Sequence, residues 1–249
     1  MNNAAIVLGM AVSALYAQQA PRLSFDVASI RPQEGPLSRI ADFSISGPRV
    51  TYGGYNPVLL MMEAYNVRNF QVSVPSEKLP MYDYYEIAAL APGPAAVTRE
   101  ESRQMLQSLL ADRFKLQFHR EMREIPVFAL VVDKNGPSLK PGSGDAACAA
   151  RIGPLQPQDR NYQYQFTNCA LDRLVNSLQA DRPILDKTGL AGRYDITLSA
   201  TPPFRMRDSS EPGDIELSDA IRRLGLRLEA QKTPIDVFVV DHVEKPADN

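Results

Sequence analysis

The stretch Pro126-Val127-Phe128-Ala129-Leu130-Val131-Val132-Asp133 places six apolar residues between a proline and an acid. Successive side chains of a strand point to opposite faces, so a strand that is apolar on both faces is typical of the middle of a sheet. A related stretch, Pro234-Ile235-Asp236-Val237-Phe238-Val239-Val240-Asp241, recurs near the end of the chain. The first stretch therefore predicts a central strand, and its recurrence suggests two copies of one unit.

Other landmarks recur in the same order. Tyr85-Glu86-Ile87 matches Tyr194-Asp195-Ile196, and Phe114-Lys115-Leu116 matches Leu226-Arg227-Leu228, each following an amphipathic helical pattern. Recurrence of a fixed element order is what an internal duplication predicts. We therefore expect an α+β fold of two related subdomains, each helix-strand-helix-strand-strand, with small mixed sheets covered by helices. The alternative is that two stretches of mixed helix and strand resemble each other by chance.

Capping residues and spacings place the other elements. Asn56-Pro57 is a typical helix start, and Thr98 with Glu101 forms a capping box. Asn168 is expected to cap a later helix, and Gly225 to end a short one. The first copy has residues 117–125 between its second landmark and Pro126, against 229–233 in the second copy, which predicts a longer hairpin in the first.

The N-terminal segment bears on the compartment. Ala4 to Leu15 is an apolar run of twelve residues, too short for a bilayer, which needs about 20 residues. Small residues follow it up to Ala20, as in a secretory signal, although Met1-Asn2-Asn3 lacks Lys and Arg. The alternative is a buried N-terminal helix. The pattern predicts a periplasmic or extracellular protein, and no other stretch is apolar enough to cross a membrane.

The chain thus divides into four predicted segments. They are a signal peptide (1–20), a first α+β subdomain with N-terminal strands (21–140), a polar linker loop (141–167) and a second α+β subdomain (168–249).

Composition excludes several classes of protein. Hydrophobic residues make up 44% and charged residues 22% of the chain, which is typical of a globular protein. Lys plus Arg number 27 against 29 for Asp plus Glu, so the basic surplus that nucleic-acid binding needs is missing. Two cysteines and two histidines leave little for a structural zinc site. We predict neither a metal nor a cofactor.

The two cysteines, Cys148 and Cys169, are predicted to form a disulfide. Exported chains meet oxidising surroundings, and the twenty residues between the two are loop-like, so their ends can approach each other. The alternatives are two reduced cysteines, or one of them acting as a nucleophile.

Candidates for catalysis are few. Asp186-Lys187-Thr188-Gly189 resembles the phosphorylated-aspartate motif of P-type ATPases. A turn is the favoured alternative, because a short motif counts only in its structural context. His119 ends a predicted strand, and His242 follows Asp241 after another. A hydrolytic triad also needs a nucleophile, and the sequence has no Gly-x-Ser-x-Gly elbow. The sequence therefore identifies no catalytic site, and Asp186, His119, Asp241 and His242 are only residual candidates.

Aromatic residues alternate in Asn161-Tyr162-Gln163-Tyr164-Gln165-Phe166. Tyr162, Tyr164 and Phe166 could bind a glycan or a peptide strand. The alternative is a strand that buries this stripe in its own core, because a period of two is primarily a packing signal.

Four separated motifs resemble one known family. Ser24 to Pro32, Leu109 to Leu116, Leu185 to Leu190 and Asp241 to Pro246 resemble segments of the uncharacterised "soil-associated protein" family. That resemblance implies an exported domain of unknown function, and some relatives look like the outer part of sensor-type membrane metallopeptidases. In element order, each repeat is also similar to the short N-terminal domains of secretins and TonB-dependent receptors, which contact partner proteins.

Together these patterns predict an exported binding or sensory domain that acts through contact with a ligand or with an envelope protein, peptide or glycan. The alternative is a secreted hydrolase of an envelope or extracellular polymer, with its site between the subdomains. A pocket that gathers Asp186, Asp241, His242 or His119 within hydrogen-bonding distance would favour the hydrolase.

The signal segment yields the first testable prediction. Because cleavage is expected after Ala17 or Ala20, N-terminal sequencing of the protein from its native host should begin between Gln18 and Arg22. An intact Met1 on soluble cytoplasmic material would contradict export.

Overall fold

The computed structural model describes residues 22–33, 41–75, 83–143, 145–154, 156, 158–202 and 215–246. The predicted signal peptide over residues 1–20 lies outside these ranges. The chain forms two compact units: one holds the residues up to Arg120 and from Phe238 onward, and the other holds Glu121–Val237. Among the described residues, no helix has the length and apolar character needed to cross a bilayer.

The first half of the chain alternates strands with two helices. In order, its elements are β1 (Val27–Pro32), β2 (Asp42–Ser46), β3 (Arg49–Tyr55), α1 (Pro57–Tyr65), β4 (Val72–Ser73), β5 (Tyr85–Leu90), α2 (Arg99–Arg113) and β6 (Gln117–Val132). A short 3₁₀ turn at Asn69–Gln71 precedes β4.

The second half has the same succession of strands and helices. Its elements are β7 (Lys140–Pro141), β8 (Ala149–Pro154), β9 (Tyr162–Ala170), α3 (Leu171–Ser177), β10 (Ile184–Asp186), β11 (Arg193–Ala200), α4 (Leu217–Arg222) and β12 (Leu226–His242). The described ranges thus contain four α-helices and twelve strands, a mixed α/β fold made mainly of strands.

The strands form three four-stranded sheets within the described ranges. One has the order β1-β5-β3-β2 and another β7-β11-β9-β8, so adding six to each strand number of the first gives the second. The third has the order β10-β6-β12-β4. Its outer pairings, β10 with β6 and β4 with β12, are both parallel.

The strands β6 and β12 are long and are shared between the units. They contain 16 and 17 residues, and each is continuous through its proline, Pro126 or Pro234. The hairpin predicted between Leu116 and Pro126 is therefore wrong. Residues 119–124 are mostly charged, as is common in a hairpin loop. Most of them are exposed, but their backbone stays extended within β6.

The sharing of these strands also explains why the units differ from the predicted domains. The units change at Arg120 and Val237, whereas the predicted boundaries lie at residues 140 and 168. Most of β6 belongs to the second unit, and the end of β12 belongs to the first. The polar linker predicted over 141–167 is wrong as a loop, because it contains β8 and most of β9. In β9 the polar residues Gln163, Gln165 and Thr167 alternate with the buried residues Tyr164 and Phe166.

The predicted helix caps have mixed outcomes. Asn56 Oδ1 accepts a hydrogen bond from the Leu59 amide at 2.9 Å, and Thr98 and Glu101 form the reciprocal capping box, as predicted. The prediction for Asn168 is wrong, because the cap of α3 is Ala170 and Asn168 lies in β9 with a left-handed φ of 52°. The Asn168 amide there donates to Asp195 instead.

Each unit has its own hydrophobic core. In the first, β5 alternates buried and exposed residues and turns Ile87 toward Leu60 of α1 and Leu106 and Leu110 of α2. Full burial of one such side chain contributes roughly 1.5–3 kcal/mol. The core of the second unit includes Leu130, Tyr164, Phe166, Leu174, Ile196 and Ile221.

The predicted disulfide is confirmed. Cys148 and Cys169 are bonded, with their Cα atoms 4.7 Å apart. Cys169 is fully buried at the end of β9, whereas Cys148 is exposed just before β8. The bond therefore ties the segment that leads into β8 to the core of the second unit.

Reduction of this disulfide should destabilise the protein. In the chain-entropy model, a loop of this size contributes about 3 kcal/mol, so dithiothreitol should lower the urea midpoint. The control is the Cys148→Ala/Cys169→Ala variant, whose midpoint should not respond to dithiothreitol. An unchanged midpoint in the wild-type protein would contradict this prediction.

Candidate functional site

Two of the candidate catalytic residues meet. His119 on β6 and Asp241 on β12 both belong to the first unit, and His119 Nδ1 lies 2.8 Å from Asp241 Oδ1 and 3.0 Å from Oδ2. Their side chains are 52% and 47% exposed, respectively. This is the geometry in which a carboxylate orients a histidine, but at a site open to water.

The other two candidates have different partners. His242 Nε2 lies 2.8 Å from Glu244 Oε1. It adjoins Asp241 in β12, so the two side chains point to opposite faces. Asp186 Oδ1 accepts hydrogen bonds from the amide and the hydroxyl of Thr188, at 2.9 and 2.8 Å. These bonds form the local turn that was the alternative to a phosphorylation motif.

The aromatic stripe is mostly inside the second unit. Tyr164 and Phe166 are 1% and 2% exposed and belong to its core, while Tyr162 is half-buried at the start of β9. The packing alternative accounts for Tyr164 and Phe166, which no ligand can reach in this conformation.

The described residues contain no cluster of three or more His, Cys, Asp or Glu side chains that could hold a metal ion.

A cleft of about 360 Å³ lies beside α2 in the first unit. We call it the α2 cleft. It is half open to solvent and is lined by Arg22, Leu23, Tyr65, Gln104, Gln107, Ser108 and Ala111. A volume near 300 Å³ is at the lower end of the range for small-ligand sites.

The sequence of α2 explains one wall of this cleft. Gln104, Gln107, Ser108 and Ala111 follow the spacing i, i+3, i+4, i+7, which places them on one side of a helix. Apolar residues of α2 such as Leu106 are buried on another side. The helix therefore presents a polar strip to the cleft.

Two hydrogen bonds hold the segments around the α2 cleft in place. Ser108 Oγ donates to the Leu23 carbonyl at 2.7 Å, which holds the segment before β1 against α2. Gln107 Nε2 donates to the Ala64 carbonyl near the end of α1 at 2.7 Å. Both bonds join segments far apart in sequence, so the cleft exists only in the folded unit.

An ion-pair cluster fixes α1 against α2. Glu63 of α1 accepts from Arg99 Nη2 at 2.6 Å and from Arg103 Nε at 3.2 Å. Burial acts to raise the pKa of the Glu63 carboxyl, but its hydrogen bonds and ion pairs with these arginines outweigh that effect and lower the pKa. The cluster thereby sets the position of Tyr65, two residues along α1, relative to α2.

Two aromatic rings pack against Tyr65 at the cleft. The ring centroid of Tyr65 lies 4.9 Å from that of Phe118 and 5.4 Å from that of Phe238, and the Arg120 guanidinium lies over Phe238 at 4.4 Å. Burial raises the pKa of the Tyr65 phenol, while the positive charges of Arg120 and Arg22 act to lower it. Two cations thus influence this hydroxyl.

Comparison with known proteins places the chain. The profile of DUF3738, described as a protein of unknown function, matches residues 58–243. The chain belongs to the DUF3738 family. No curated protein and no solved structure matches it.

The DUF3738 match covers α1, α2 and both long strands, and so includes the cleft residues from Tyr65 to Ala111. Arg22 and Leu23 lie before it. No sequence motif marks any of these residues as functional. The available signal was the polar strip of α2, but nothing in the sequence shows that Arg22 lies beside it.

A second cleft of the first unit, about 260 Å³, is lined by residues that include Gln33, Tyr84 and Lys245. Lys245 Nζ lies 2.8 Å from Asp83 Oδ2, so the charge there is already paired. The described residues that line the α2 cleft include no acid. The α2 cleft is therefore the stronger candidate for a binding site.

Loss of the bond from Ser108 should loosen the rim. Replacing Ser108 with Ala removes a hydrogen bond worth about 1 kcal/mol, so trypsin should cleave after Arg22 roughly fivefold faster under native conditions. The control is Ser177→Ala, because Ser177 makes a comparable bond to Arg173 in α3. Equal cleavage rates in wild-type and Ser108→Ala protein would contradict the proposed role of this bond.

Proposed function

We propose that this DUF3738 protein is an exported envelope or extracellular domain with a binding or sensory role, and that it contacts a small ligand or partner group through the α2 cleft. The observation that carries this proposal is the set of polar groups at the cleft. The side chains of Arg22, Gln104 and Tyr65 line it, and they make no hydrogen bond to any part of the chain that the structure describes. Their hydrogen-bonding groups remain available to a ligand.

Export is part of this proposal. It is supported by the apolar run from Ala4 to Leu15 and by the Cys148–Cys169 disulfide, because stable disulfides are typical of oxidising compartments. The resemblance to the "soil-associated protein" family supports the same compartment. The looser similarity to secretin and TonB-receptor domains agrees with a role in contacting partners.

An internal duplication is also part of the proposal. The matching orders of two sheets support it, as does a reciprocal pair of contacts made by the two matched acids. Asp241, near the end of β12, contacts His119 near the start of β6. Asp133, just after β6, lies 3.7 Å from Arg227 Nε near the start of β12. In this proposal the last strand of each copy, β6 or β12, ends in the unit that is formed mainly by the other copy.

The second candidate function is hydrolysis of an envelope or extracellular polymer. The observation that favours it is the bond between His119 and Asp241, which matches the base and orienting acid of a hydrolytic triad. The openness of both side chains disfavours it, because catalytic electrostatics depend on exclusion of water. Asp186 and His242 have other hydrogen-bond partners.

The binding function predicts that occupying the cleft with a bulky side chain abolishes ligand retention. Gln104 is exposed on α2, so Gln104→Trp should fill the cleft without disturbing the core. Purified protein would be incubated with envelope extract of the native host, and retained molecules identified by mass spectrometry. We expect wild-type protein to retain a species that Gln104→Trp loses at least about tenfold.

The matched control is Arg49→Trp, which adds the same ring at an exposed position of β3 that is not part of the cleft lining. It should retain the species as wild-type protein does. Identical retention by all three proteins would contradict binding at the α2 cleft. Polymer hydrolysis that His119→Ala abolishes would favour the second candidate function instead.

A further inference from the structure

We infer that the group recognised by the α2 cleft is a carboxylate attached to a small apolar body. This inference rests on the proposed function of the same cleft and adds the chemical class of the ligand. Arg22, Tyr65 and Gln104 would bind the carboxylate, and Leu23 and Ala111 would contact the apolar body.

The hydrogen-bonding inventory of the cleft is rich in donors. A guanidinium offers five N–H donors and no acceptor, whereas a phenol offers one donor and a glutamine amide offers two, each beside an acceptor oxygen. The hydroxyl of Ser108 and the amide nitrogen of Gln107 already donate within the protein. A carboxylate, which only accepts hydrogen bonds, complements the donors of Arg22, Tyr65 and Gln104.

Charge points the same way. Arg22 is the one charged residue among the described residues of the lining, which include no acid to neutralise it. Arg120 places a second positive charge near Tyr65, as its effect on that phenol indicates. These positive charges would therefore stabilise an anionic group bound in the cleft and destabilise a bound ammonium group.

The number of arginines separates a carboxylate from a phosphate. Phosphate recognition commonly uses a cluster of arginines, whereas one planar guanidinium matches the two oxygens of a carboxylate in a fork geometry. Arg22 supplies one such guanidinium to the cleft. The guanidinium of Arg120 instead lies over the ring of Phe238. The cleft thus has the donor set for one carboxylate.

The remaining lining selects what is attached to the carboxylate. Leu23 is 43% exposed, and the methyl group of Ala111 and the Tyr65 ring offer further apolar surface. A volume of about 360 Å³ accommodates a short chain or a single ring beside the carboxylate. Covering Leu23 with an apolar group would contribute the usual hydrophobic stabilisation.

The test uses three probes with the same six-carbon chain: hexanoate, hexanamide and hexyl phosphate. Each is titrated into the purified protein while backbone amide NMR signals are recorded. Hexanoate should shift the signals of Ser108 and Ala111 and should bind at least about tenfold more tightly than hexanamide, because a hydrogen bond to a charged group is stronger than one to a neutral group. Hexyl phosphate should bind more weakly than hexanoate.

Two variants locate the effect. Arg22→Gln should weaken hexanoate binding at least about tenfold and leave hexanamide binding unchanged. Arg49→Gln, which removes an equally exposed positive charge from β3, should leave both unchanged. Arg22→Lys should recover only part of the affinity, because lysine keeps the charge but lacks the fork.

The outcomes separate the inference from the function on which it rests. Equal binding of hexanoate and hexanamide, tighter binding of hexyl phosphate, or no shift at Ser108 and Ala111 with any probe would each overturn the carboxylate inference. None of them would overturn the binding function if Gln104→Trp still lost the retained species from envelope extract. Equal retention by Gln104→Trp and wild-type protein would overturn both.

Discussion

The sharing of β6 and β12 is the constraint on which both units depend. The core of the first unit is formed largely by residues between Ile30 and Leu116, yet it also contains Phe238, Val240 and Val243 from the end of the chain. The core of the second unit includes Leu130 from β6, and its residues all lie within Glu121–Val237. The first core is thus the one that a single contiguous stretch of the described sequence cannot complete.

This constraint also builds the cleft beside α2. Phe238 arrives on β12 and packs against Tyr65 and Phe118, so the aromatic backing of the cleft requires a residue more than 170 positions after Tyr65. Arg22 and Leu23 arrive from the other end of the chain and are held by Ser108. The cleft therefore combines an N-terminal segment, two helices and the ends of two long strands, all within one unit.

The sequence predicted the elements whose signals are local. Asn56 and Thr98 cap helices through atoms three residues away, and Tyr85 to Leu90 alternates strictly because one face of β5 is buried. The disulfide could be predicted because the expected compartment and the loop length together favour it. The caps and the alternation of β5 depend on residues that are close in sequence, and the disulfide depends on redox chemistry.

The predictions that were wrong concern segments whose structure depends on contacts between residues far apart in sequence. The charged run 119–124 and the polar segment 141–167 lie in or contain strands because neighbouring strands satisfy their backbones, which composition does not reveal. Asn168 has the side chain of a helix cap, but hydrogen bonds with Asp195 and Arg193 hold it in β9. The cleft could not be predicted for the same reason, since Arg22 reaches it only through tertiary structure.

The late arrival of β12 has a consequence for biosynthesis. Residues 238–243 leave the ribosome after the whole of Glu121–Val237, and until they arrive the first core lacks Phe238, Val240 and Val243. Contacts that span so much sequence also form slowly, because the entropy of closing the intervening loop must be overcome first. The core of the first unit can therefore be completed only after residues 121–237 have been synthesised.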